Sequence, residues 1–390
     1  MGTEIYKIDE EFSIRVVRNL GEFGELKNTW NSLTENYESY LPWLNFDWFE
    51  LCLKYFLNDN KLFILLLYKA DSVVAIAPFV IKKEVLKGVF KTIKIELIGN
   101  VYSPIRNFIF GDSSDEDKIV FISKIICYFC DVYKDWDIIE FDKIPEENNV
   151  FDMFTHVVYR SALKHRTCFC SGNWYLDGIT YTFDKYFENL PRKLQKDIQY
   201  CRRRLVKMGD LRFQMKLDDN SLDHYLDIYD EVRKKSWKAP EKDKVFIREF
   251  TKIAAEKGFL RLAFLFYEND PIASQKWIVC HKNAYILDVL HDENYRKYSP
   301  GKILSSEISK YVIDYDKVNE IDFMGGDDPY KKDWTPNRRE RKGITVFNNT
   351  IRGQSLAFLM TKVLPVIEKN QYLLSAKNKI SGYLKNYRQR

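Results

Sequence analysis

Residues 285–302 read YILDVLHDENYRKYSPGK, and they predict a strand that leads through a short loop into a helix. The apolar and aromatic residues of 285–290 are typical of a buried strand. Pro300 suits the first turn of a helix, and Ser299 before it can cap that helix. A helix N-terminus exposes free N–H groups and the positive end of the helix dipole. This turn therefore suits a phosphate or a pyrophosphate.

The side chains around this turn favour the same kind of ligand. Gly301 allows a ligand to approach the backbone closely, because glycine has no Cβ. Arg296, Lys297 and Lys302 add positive charge at the same place. An ordinary capped helix with exposed lysines is the alternative interpretation.

The order of predicted elements in this half repeats that of the first half. Each half is expected to contain helices, three antiparallel strands, a further helix and a last strand, which indicates two copies of one α+β unit. The boundary is expected within 167–180, where Ser171-Gly172-Asn173 interrupts the pattern. The predicted strands lie at 61–68, 73–81, 93–98 and 137–141 in the first half, and at 259–267, 272–280, 284–290 and 320–324 in the second.

The composition excludes several classes of protein. Hydrophobic residues make up 45% of the 390 residues and charged residues 30%, which is typical of a globular chain and not of a disordered one. A net charge of +5 is too small to indicate a nucleic-acid-binding protein by itself. The first residues show no signal-peptide pattern, and no apolar run approaches the roughly 18 residues of a membrane span. We therefore expect a cytoplasmic protein.

The cysteines indicate a reducing compartment and no metal site. Seven cysteines are scattered without CxxC pairs, as reduced thiols in a cytoplasm would be. His165, Cys168 and Cys170 lie close together, but their spacing does not match a zinc site. The adjacent Asp327 and Asp328 are weak evidence for a divalent ion, so we expect no bound metal.

Residues 321–331, which read IDFMGGDDPYK, extend these observations toward a known family. Together with Tyr295, the YSPG of 298–301 and Trp334, they resemble the C-terminal signature of the CelD-like acetyltransferases. These belong to the GNAT superfamily and are similar to the Fem-type aminoacyltransferases. The basic stretch 190–209 resembles a helix of the same family, and the resemblance extends over about 175–347.

The resemblance implies a fold and a division of the chain. The fold is expected to be α+β, with a mixed α/β sheet and two tandem GNAT-like acyltransferase domains. Residues 1–170 would form a non-catalytic N-terminal domain on the acceptor side. Residues 171–353 would form the catalytic, acyl-CoA-binding domain, and 354–390 a basic amphipathic helical tail.

The resemblance also implies that acetyl-CoA or another acyl-CoA is the donor. Its pantetheine arm would lie between the strands 285–290 and 320–324 as an added strand, with the pyrophosphate on the turn 298–302. Backbone N–H groups at Val289 and Leu290 would stabilise the oxyanion. This chain departs from the usual GNAT turn, Arg/Gln-x-x-Gly-x-Gly/Ala, because it keeps a single glycine. The implied donor-binding residues are Val289, Leu290, Arg296, Tyr298, Ser299, Pro300, Gly301 and Lys302.

Acyl transfer to an amine needs a proton acceptor and a proton for the leaving thiolate. Asp288, His291 and Asp322 lie at or near the ends of the two strands, and Tyr330 is a candidate proton donor. Burial of Asp322 would raise its pKa toward a useful value. The alternatives are that Asp288 points away from the cleft, that His291 is a turn residue and that Asp322 only holds the following loop.

The acidic turn Gly325-Gly326-Asp327-Asp328, which follows the predicted strand 320–324, is the predicted acceptor site. A flexible, negatively charged turn suits an amino sugar or another cationic acceptor. Lys331 and Trp334 would close over the bound ligand, although a surface lysine and a core tryptophan are the alternatives. The predicted acceptor-binding residues are Gly326, Asp327, Asp328, Lys331 and Trp334.

Two basic segments suggest possible partners. The helix predicted at 191–207 contains seven basic residues and one acidic residue, so its polar face suits tRNA, an anionic acceptor or the CoA 3′-phosphate. The basic tail suits an anionic membrane surface, which would place the protein at the inner face of the membrane. A solvated helix face and a helix packed on its own domain are the respective alternatives.

Taken together, the sequence predicts an acyl-CoA-dependent N-acyltransferase that acts on an amino group of a sugar or another small envelope-polymer precursor. A Fem-type transferase that uses aminoacyl-tRNA is the first alternative. A degenerate GNAT scaffold with only a binding role is the second.

Overall fold

The structure is a computed structural model that describes residues 4–34, 41–86 and 90–369. Its strands are β1 (Ile5–Lys7), β2 (Phe12–Val17), β3 (Lys61–Lys69), β4 (Ser72–Leu86), β5 (Phe90–Leu97), β6 (Ile138–Ile144), β7 (His165–Leu176), β8 (Leu211–Lys216), β9 (Leu260–Tyr267), β10 (Asp270–Cys280), β11 (Asn283–His291), β12 (Glu320–Gly325) and β13 (Asn337–Phe347). Its helices are α1 (Leu20–Glu25), α2 (Lys27–Thr34), α3 (Phe46–Phe56), α4 (Asp115–Cys127), α5 (Val150–Arg160), α6 (Phe183–Asn189), α7 (Arg192–Met208), α8 (Leu222–Lys235), α9 (Lys244–Glu256), α10 (Pro300–Asp314), α11 (Ile351–Phe358) and α12 (Leu364–Lys369).

The described residues divide into two compact units, and the first comprises 4–34, 43–170 and 340–369. Its strands lie in the order β1-β2-β3-β4-β5-β6-β13. Neighbouring strands are antiparallel except β5 and β6, which are parallel. Alternate residues of the strands point to one face and pack against α4 and α5 in a single apolar core.

The second unit comprises 41–42 and 171–339. Its strands lie in the order β7-β12-β11-β10-β9-β8, and only the pair β11–β12 is parallel. One face packs against α6, α7 and α10 in an apolar core. Helix α8 contacts β10 and β11. The two parallel pairs within otherwise antiparallel order make the sheet mixed, so the predicted α+β class is confirmed.

The predicted duplication is visible in the pairing of the strands. In the first unit, β3, β4 and β5 form an antiparallel meander, α4 follows, and β6 pairs with β5 in parallel. In the second unit, β9, β10 and β11 form the same meander, α10 follows, and β12 pairs with β11 in parallel. The repeated order predicted from the sequence is therefore present in both units.

Strand β7 continues through Ser171-Gly172-Asn173, so these residues do not interrupt the pattern of elements, although the chain changes units there. Gly172 lies inside the strand, where an added Cβ would collide with the carboxylate of Asp327 and lie 2.6 Å from Arg338 Nη2. The glycine therefore makes room for an ion pair above the strand and does not mark a turn. The chain changes units within β7, between Cys170 and Ser171.

The end of the second unit also differs from the expected position at residue 353. The second unit ends at Arg339, within β13, and residues 340–353 belong to the first unit. The reason is strand pairing, since Lys342 to Phe347 lie antiparallel to β6. The strands β1, β2, β8 and β13 were also missed by the sequence analysis.

The beginning of the predicted tail packs on the first unit. Leu356 and Met360 are buried with Ile138 and Phe347 in a small apolar cluster. The described part of the tail, up to α12, therefore matches the alternative of a helix that packs on its own domain. Residues 370–390 lie outside the described residues. Among the described residues, no helix combines the length and the apolarity needed to cross a membrane.

Candidate active site

The two parallel strands of the second unit separate after a short paired stretch. Asn283, Ala284 and Tyr285 of β11 are in register with residues 320–322 of β12, and the pairing ends there. Strand β11 continues to His291 beside β10. Its backbone from 286 onward therefore faces a gap toward β12, as the resemblance to the acetyltransferase family implied.

Helix α10 begins beside the end of this gap. Ser299 has a left-handed backbone (φ 47°), and Pro300 occupies the first helical position. An added Cβ on Gly301 would lie 3.5 Å from Nδ1 of His291 and 3.8 Å from Cγ1 of Val289, so the turn lies against the last residues of β11. The expected capping by the Ser299 side chain was wrong, because capping needs an extended backbone at that residue.

A buried hydrogen-bond network fixes the start of α10. Gln275 on β10 donates from Nε2 to the carbonyl of Gly301 at 2.9 Å and to Oγ of Ser305 at 2.7 Å. Its Oε1 accepts from Nε1 of Trp277 at 2.9 Å. The helix N-terminus is therefore held in place by the neighbouring strand.

Positive side chains surround this turn. The guanidinium of Arg204 on α7 lies 5.0 Å from the ring centroid of Tyr298, which is buried, and Nζ of Lys297 lies 5.1 Å from the same ring. Nζ of Lys302 lies 3.3 Å from the carboxylate of Asp197. Arg296 is exposed. The structure thus brings most of the predicted donor-binding residues together, with Arg204 as an addition.

Asp288 points toward α8, which was the alternative considered for it. Its carboxylate accepts from the Tyr229 hydroxyl, from Nη1 of Arg233 at 2.5 Å and from Nζ of Lys238. Burial alone would raise its pKa, but Lys238, Tyr229 and Arg233 outweigh burial and hold the pKa of Asp288 below its usual value. A carboxylate with its oxygens occupied in this way favours a fixed negative charge over proton transfer.

His291 lies at the turn end of the gap. Its ring packs against Trp237 in a tilted arrangement, with 4.4 Å between centroids and 43° between the ring planes, and its Nε2 lies 3.2 Å from Glu293 without hydrogen-bond geometry. Burial lowers the pKa of His291, and the nearby carboxylate of Glu293 only partly opposes this. The imidazole is therefore neutral at neutral pH and lies beside Gly301, close to the expected pyrophosphate position.

Asp322 holds the loop that follows β12. Its carboxylate accepts from Nη2 of Arg339 at 2.7 Å, from Nδ2 of Asn173 at 2.6 Å and from the backbone N–H of Met324 at 2.6 Å. These hydrogen bonds connect the Asp322 side chain to β13, to β7 and to the backbone that follows it. The geometry matches the alternative, structural interpretation of Asp322.

The side chain of Lys331 hydrogen-bonds to the backbone of the acidic turn. This buried lysine donates to the carbonyls of Met324, Gly325 and Gly326 at 3.2, 2.9 and 3.1 Å. It therefore fixes the shape of the turn, whereas the sequence predicted a closing element or a surface lysine. Gly326 adopts φ 103°, which only glycine adopts readily.

The remaining predicted acceptor residues have different environments. Asp327 pairs with Arg338 at 2.7 Å and accepts from Nε1 of Trp174 at 3.1 Å, so it is already occupied. Asp328 is exposed and lies 3.3 Å from Lys331. Trp334 is buried in the apolar core of the second unit, which was the alternative for it. Tyr330 is 42% exposed and remains available to a ligand.

Sequence reasoning missed the residues of α8 and of the loop after it. Tyr229, Arg233, Lys238 and Glu241 all lie near Asp288, and Lys276 lies opposite it on β10. Lys276 had a usable signal, because a lysine in the middle of an apolar strand is unusual.

The equivalent gap of the first unit is occupied by the chain itself. There, β5 and β6 also pair at only three positions, from Lys94 to Glu96. Beyond them, Arg106 donates to the carbonyl of Leu97 at 3.4 Å and to Asp142 at 2.8 Å, and its N–H donates to the carbonyl of Lys143 at 3.1 Å. The segment around Arg106 therefore bridges the two diverging strands.

The first unit also contains two cysteines whose thiols interact. An added Cβ on Gly343 would lie 3.1 Å from Sγ of Cys168 and 3.2 Å from Sγ of Cys170, so both sulfurs lie over this glycine. The hydrogen bond from Cys168 outweighs burial and, with the Lys143 backbone N–H, lowers the pKa of Cys170 to about 7. The same interaction raises the pKa of Cys168.

We expect Cys170 to be alkylated by iodoacetamide with a rate that rises with pH and reaches half its maximum near pH 7, because the thiolate is the nucleophile. Replacing Cys168 by alanine should slow this reaction at pH 7 by about tenfold, since the donor that stabilises the thiolate is lost. Peptide mass spectrometry measures the rate at each cysteine. Cys280, whose pKa burial raises to about 12, is the unreactive control. Equal rates at Cys170 and Cys280 would contradict the prediction.

Comparison with known proteins agrees with this geometry in the second unit. Residues 192–332 match the family model described as "Acetyltransferase (GNAT) domain". This segment contains α7, α8, the diverging strands, the turn at Ser299 and the acidic turn. No curated protein sequence matches the chain.

Solved structures with a similar fold include the crystal structure of FemX, with 10% identity, a TM-score of 0.56, and coverage of 86% of this chain and 98% of that chain. The C-terminal domain of a putative lysylphosphatidylglycerol synthetase from Agrobacterium fabrum has 11% identity and a TM-score of 0.49, covering 86% of this chain and 96% of that one. A tandem GNAT protein from the clavulanic acid biosynthesis pathway has 10% identity and a TM-score of 0.45, covering 85% and 98%. At these identities the likeness concerns the fold alone. Residues 192–332 thus match a model of the GNAT acetyltransferase domain, and the fold of the chain is similar to that of FemX.

Proposed function

We propose that the chain is an acyl-CoA-dependent N-acyltransferase of the CelD-like branch, and that the second unit binds the donor between β11 and β12. The observation that supports this most directly is the gap itself. The two strands separate after Tyr285, and a helix N-terminus flanked by Gly301 lies at the open end. A thioester cofactor needs both features, an unpaired strand edge for its amides and free N–H groups for its diphosphate.

The residues present fit such a donor. The missing Cβ of Gly301 leaves the backbone accessible beside Val289, and Lys302, Lys297 and Arg204 supply positive charge for phosphates. Acetyl-CoA supplies the activated acyl group. In this proposal the oxyanion donors are backbone N–H groups of β11 beyond Tyr285 that face the gap, where the N–H of Val289 donates to Oδ1 of Asp288 at 3.0 Å in the absence of a donor.

The reaction requires a neutral amine at the thioester carbonyl. The C–N bond forms, the C–S bond breaks, the nitrogen gives up one proton to solvent water, and the leaving thiolate takes up one proton. Tyr330 is the proposed donor of that proton, because it is partly exposed near the acidic turn. Burial and the charges of Asp328 and Asp288 raise the pKa of Tyr330, so it is protonated at neutral pH. Asp288 and Asp322 are proposed to act as fixed charges that position the site.

The first unit is proposed to be non-catalytic. Arg106 and its hydrogen bonds fill the gap between β5 and β6, where a donor would otherwise bind. The predicted role on the acceptor side remains the proposal for this unit. Peripheral attachment to a membrane also remains a proposal, because the end of the basic tail lies outside the described residues.

A Fem-type transfer from aminoacyl-tRNA is the second candidate function. Helix α7 exposes basic residues along its polar face, and Arg204 connects that face to the turn at Tyr298. A basic face of this length extends beyond what the phosphates of a small donor would contact, and it suits a polyanion. A scaffold that only binds a nucleic acid or another partner is the third candidate.

Isothermal titration calorimetry separates these candidates. We expect acetyl-CoA to bind the purified protein with a micromolar dissociation constant, and deacylated tRNA to bind weakly with a steep dependence on salt. Mass spectrometry of a metabolite extract incubated with labelled acetyl-CoA then identifies the acceptor. Tight binding of charged tRNA without acetyl-CoA binding would favour the Fem-type function. Oligonucleotide binding alone would favour the scaffold.

A further inference from the structure

Lys276 is a buried lysine in the middle of β10. Only 2% of its surface is exposed, and it lies in register with Asp288 on β11. Its Nζ lies 4.2 Å from the ring centroid of Tyr229 on α8. Among the residues that the structure describes, no carboxylate lies within ion-pair distance of this ammonium group, and its only close partner is an aromatic ring.

This position is costly for the fold. Burial disfavours the charged form and lowers the pKa of Lys276, although Glu241 and Asp288 oppose the shift from a distance. A buried charge without a partner destabilises a protein, whereas a methionine of similar length would pack in the same apolar surroundings. The lysine is therefore explained by something other than stability of the described chain.

The neighbouring acids do not supply the missing partner. Asp288 is occupied by Tyr229, Arg233 and Lys238. Asp230, a little further along α8, pairs with Lys244 at 2.7 Å and with Arg248 at 2.8 Å.

Glu241 is the remaining carboxyl group near Lys276. It lies 3.8 Å from Nη1 of Arg233, and burial raises its pKa against the opposing charges of Lys276 and Arg233. Three cationic side chains, those of Lys276, Arg233 and Lys238, thus lie around two carboxyl groups, those of Asp288 and Glu241. One further negative charge would balance them.

The position of this cluster relates it to the reacting groups. Successive residues of a strand point to opposite faces, and Val289 lies against Gly301 of α10 whereas Asp288 points to α8. Both residues belong to the part of β11 that faces the gap. A donor on the α10 face and a second substrate on the α8 face would therefore reach the same strand edge. Lys238, whose side chain is 34% exposed, lies on the solvent side of the cluster.

We propose that an anionic group of the acceptor, a carboxylate or a phosphate, binds beside Lys276 between α8 and the β10–β11 pair. The acceptor then supplies the counterion that the protein lacks, and its amino group lies toward the gap. This proposal rests on the proposed acyltransferase function and adds a chemical class to the acceptor. It concerns a substrate that is anionic at one end and an amine at the other.

Three probes test the proposal without any donor present. Glucosamine has no anionic group, muramic acid adds a carboxylate, and glucosamine 6-phosphate adds a phosphate. We expect calorimetry to show at least about tenfold tighter binding of one anionic probe than of glucosamine. Which of the two binds distinguishes a carboxylate acceptor from a phosphate acceptor. Equal binding of all three probes, or binding of none, would overturn the proposal.

The variant Lys276→Met provides the second readout. We expect it to lose the preference for the anionic probe and to melt a few degrees above the wild type, because an unpaired buried charge is removed. Lys310→Met makes the same chemical change at an exposed position of α10 and should alter neither property. A lower melting temperature for Lys276→Met, or an unchanged preference, would show a structural role and contradict the proposal.

Acetyl-CoA titration of the same proteins separates this inference from the proposed function. Lys276→Met should bind acetyl-CoA as the wild type does, because Lys276 lies on the other face of β11 from the turn at Gly301. If acetyl-CoA fails to bind the wild type but the anionic preference depends on Lys276, the anion site stands and the donor assignment fails. If acetyl-CoA binds and no anionic probe is preferred, the donor assignment stands and the anion site fails.

Discussion

Replacing Gly301 by glutamate is expected to weaken acetyl-CoA binding by about 100-fold or more. The new carboxylate would lie at the helix N-terminus, where the diphosphate of the donor is proposed to bind. Two like charges about 4 Å apart repel by roughly 4 kcal/mol at the effective dielectric of a protein surface. The helix itself should tolerate the change, because an acidic residue in the first turn interacts favourably with the helix dipole.

Gly301→Ala is the matched control for this experiment. Its added Cβ would meet Nδ1 of His291 at 3.5 Å and Cγ1 of Val289 at 3.8 Å, which are ordinary contacts. Because the added Cβ also narrows the approach of the donor to the backbone, calorimetry should give a dissociation constant that rises far less for alanine than for glutamate, with similar melting temperatures for all three proteins. Wild-type affinity in Gly301→Glu would show that the donor does not use this turn.

Replacing Asp322 by alanine is expected to lower the free energy of unfolding by about 2–4 kcal/mol, because it removes one of the two carboxylate partners of Arg339 and the acceptor of two further N–H groups. Arg339 would keep a largely buried guanidinium without this carboxylate, and the N–H of Met324 and the amide of Asn173 would lose their acceptor. Urea unfolding of the variant and the wild type measures the difference.

Two controls show whether this loss comes from the ion pair. Asp322→Asn keeps an acceptor for Met324 and should lose less stability than the alanine variant. Asp219→Ala, at an exposed position, should change the unfolding free energy by no more than about 0.5 kcal/mol. If Asp322→Ala unfolds like the wild type but loses acyl transfer, Asp322 acts as the predicted proton acceptor and not as a structural anchor.

The elements predicted correctly from the sequence are those with strong local patterns. Strand β11 and helix α10 follow from an apolar run and from the Pro300-Gly301 start. Strand β13 was missed because its first residues, NRRERK, contain charges that look like a solvated loop. Arg339 and Arg341 find their carboxylate partners on distant segments, at Glu320, Asp322 and Glu147.

The candidate site shows the same division between local and distant information. The turn at 298–302 was predicted from Ser299, Pro300 and Gly301, its position beside the gap was implied by the family resemblance, and the structure has it against the last residues of β11. The role of Asp288 was left open, because the face to which a strand residue points depends on register, and register depends on β10. Lys276 stands out in the sequence as a charge inside an apolar strand, but its contact with Tyr229 depends on how α8 packs on the sheet.

The course of the chain through β7 and β13 makes the first unit discontinuous in the gene. Its final strand is translated only after the whole of 171–339, so a fragment that stops at residue 170 has no β13 to pair with β6. Such a fragment would present a bare strand edge to other molecules and tend to aggregate. Co-translational completion of the N-terminal unit therefore has to wait until residues 340–347 have left the ribosome.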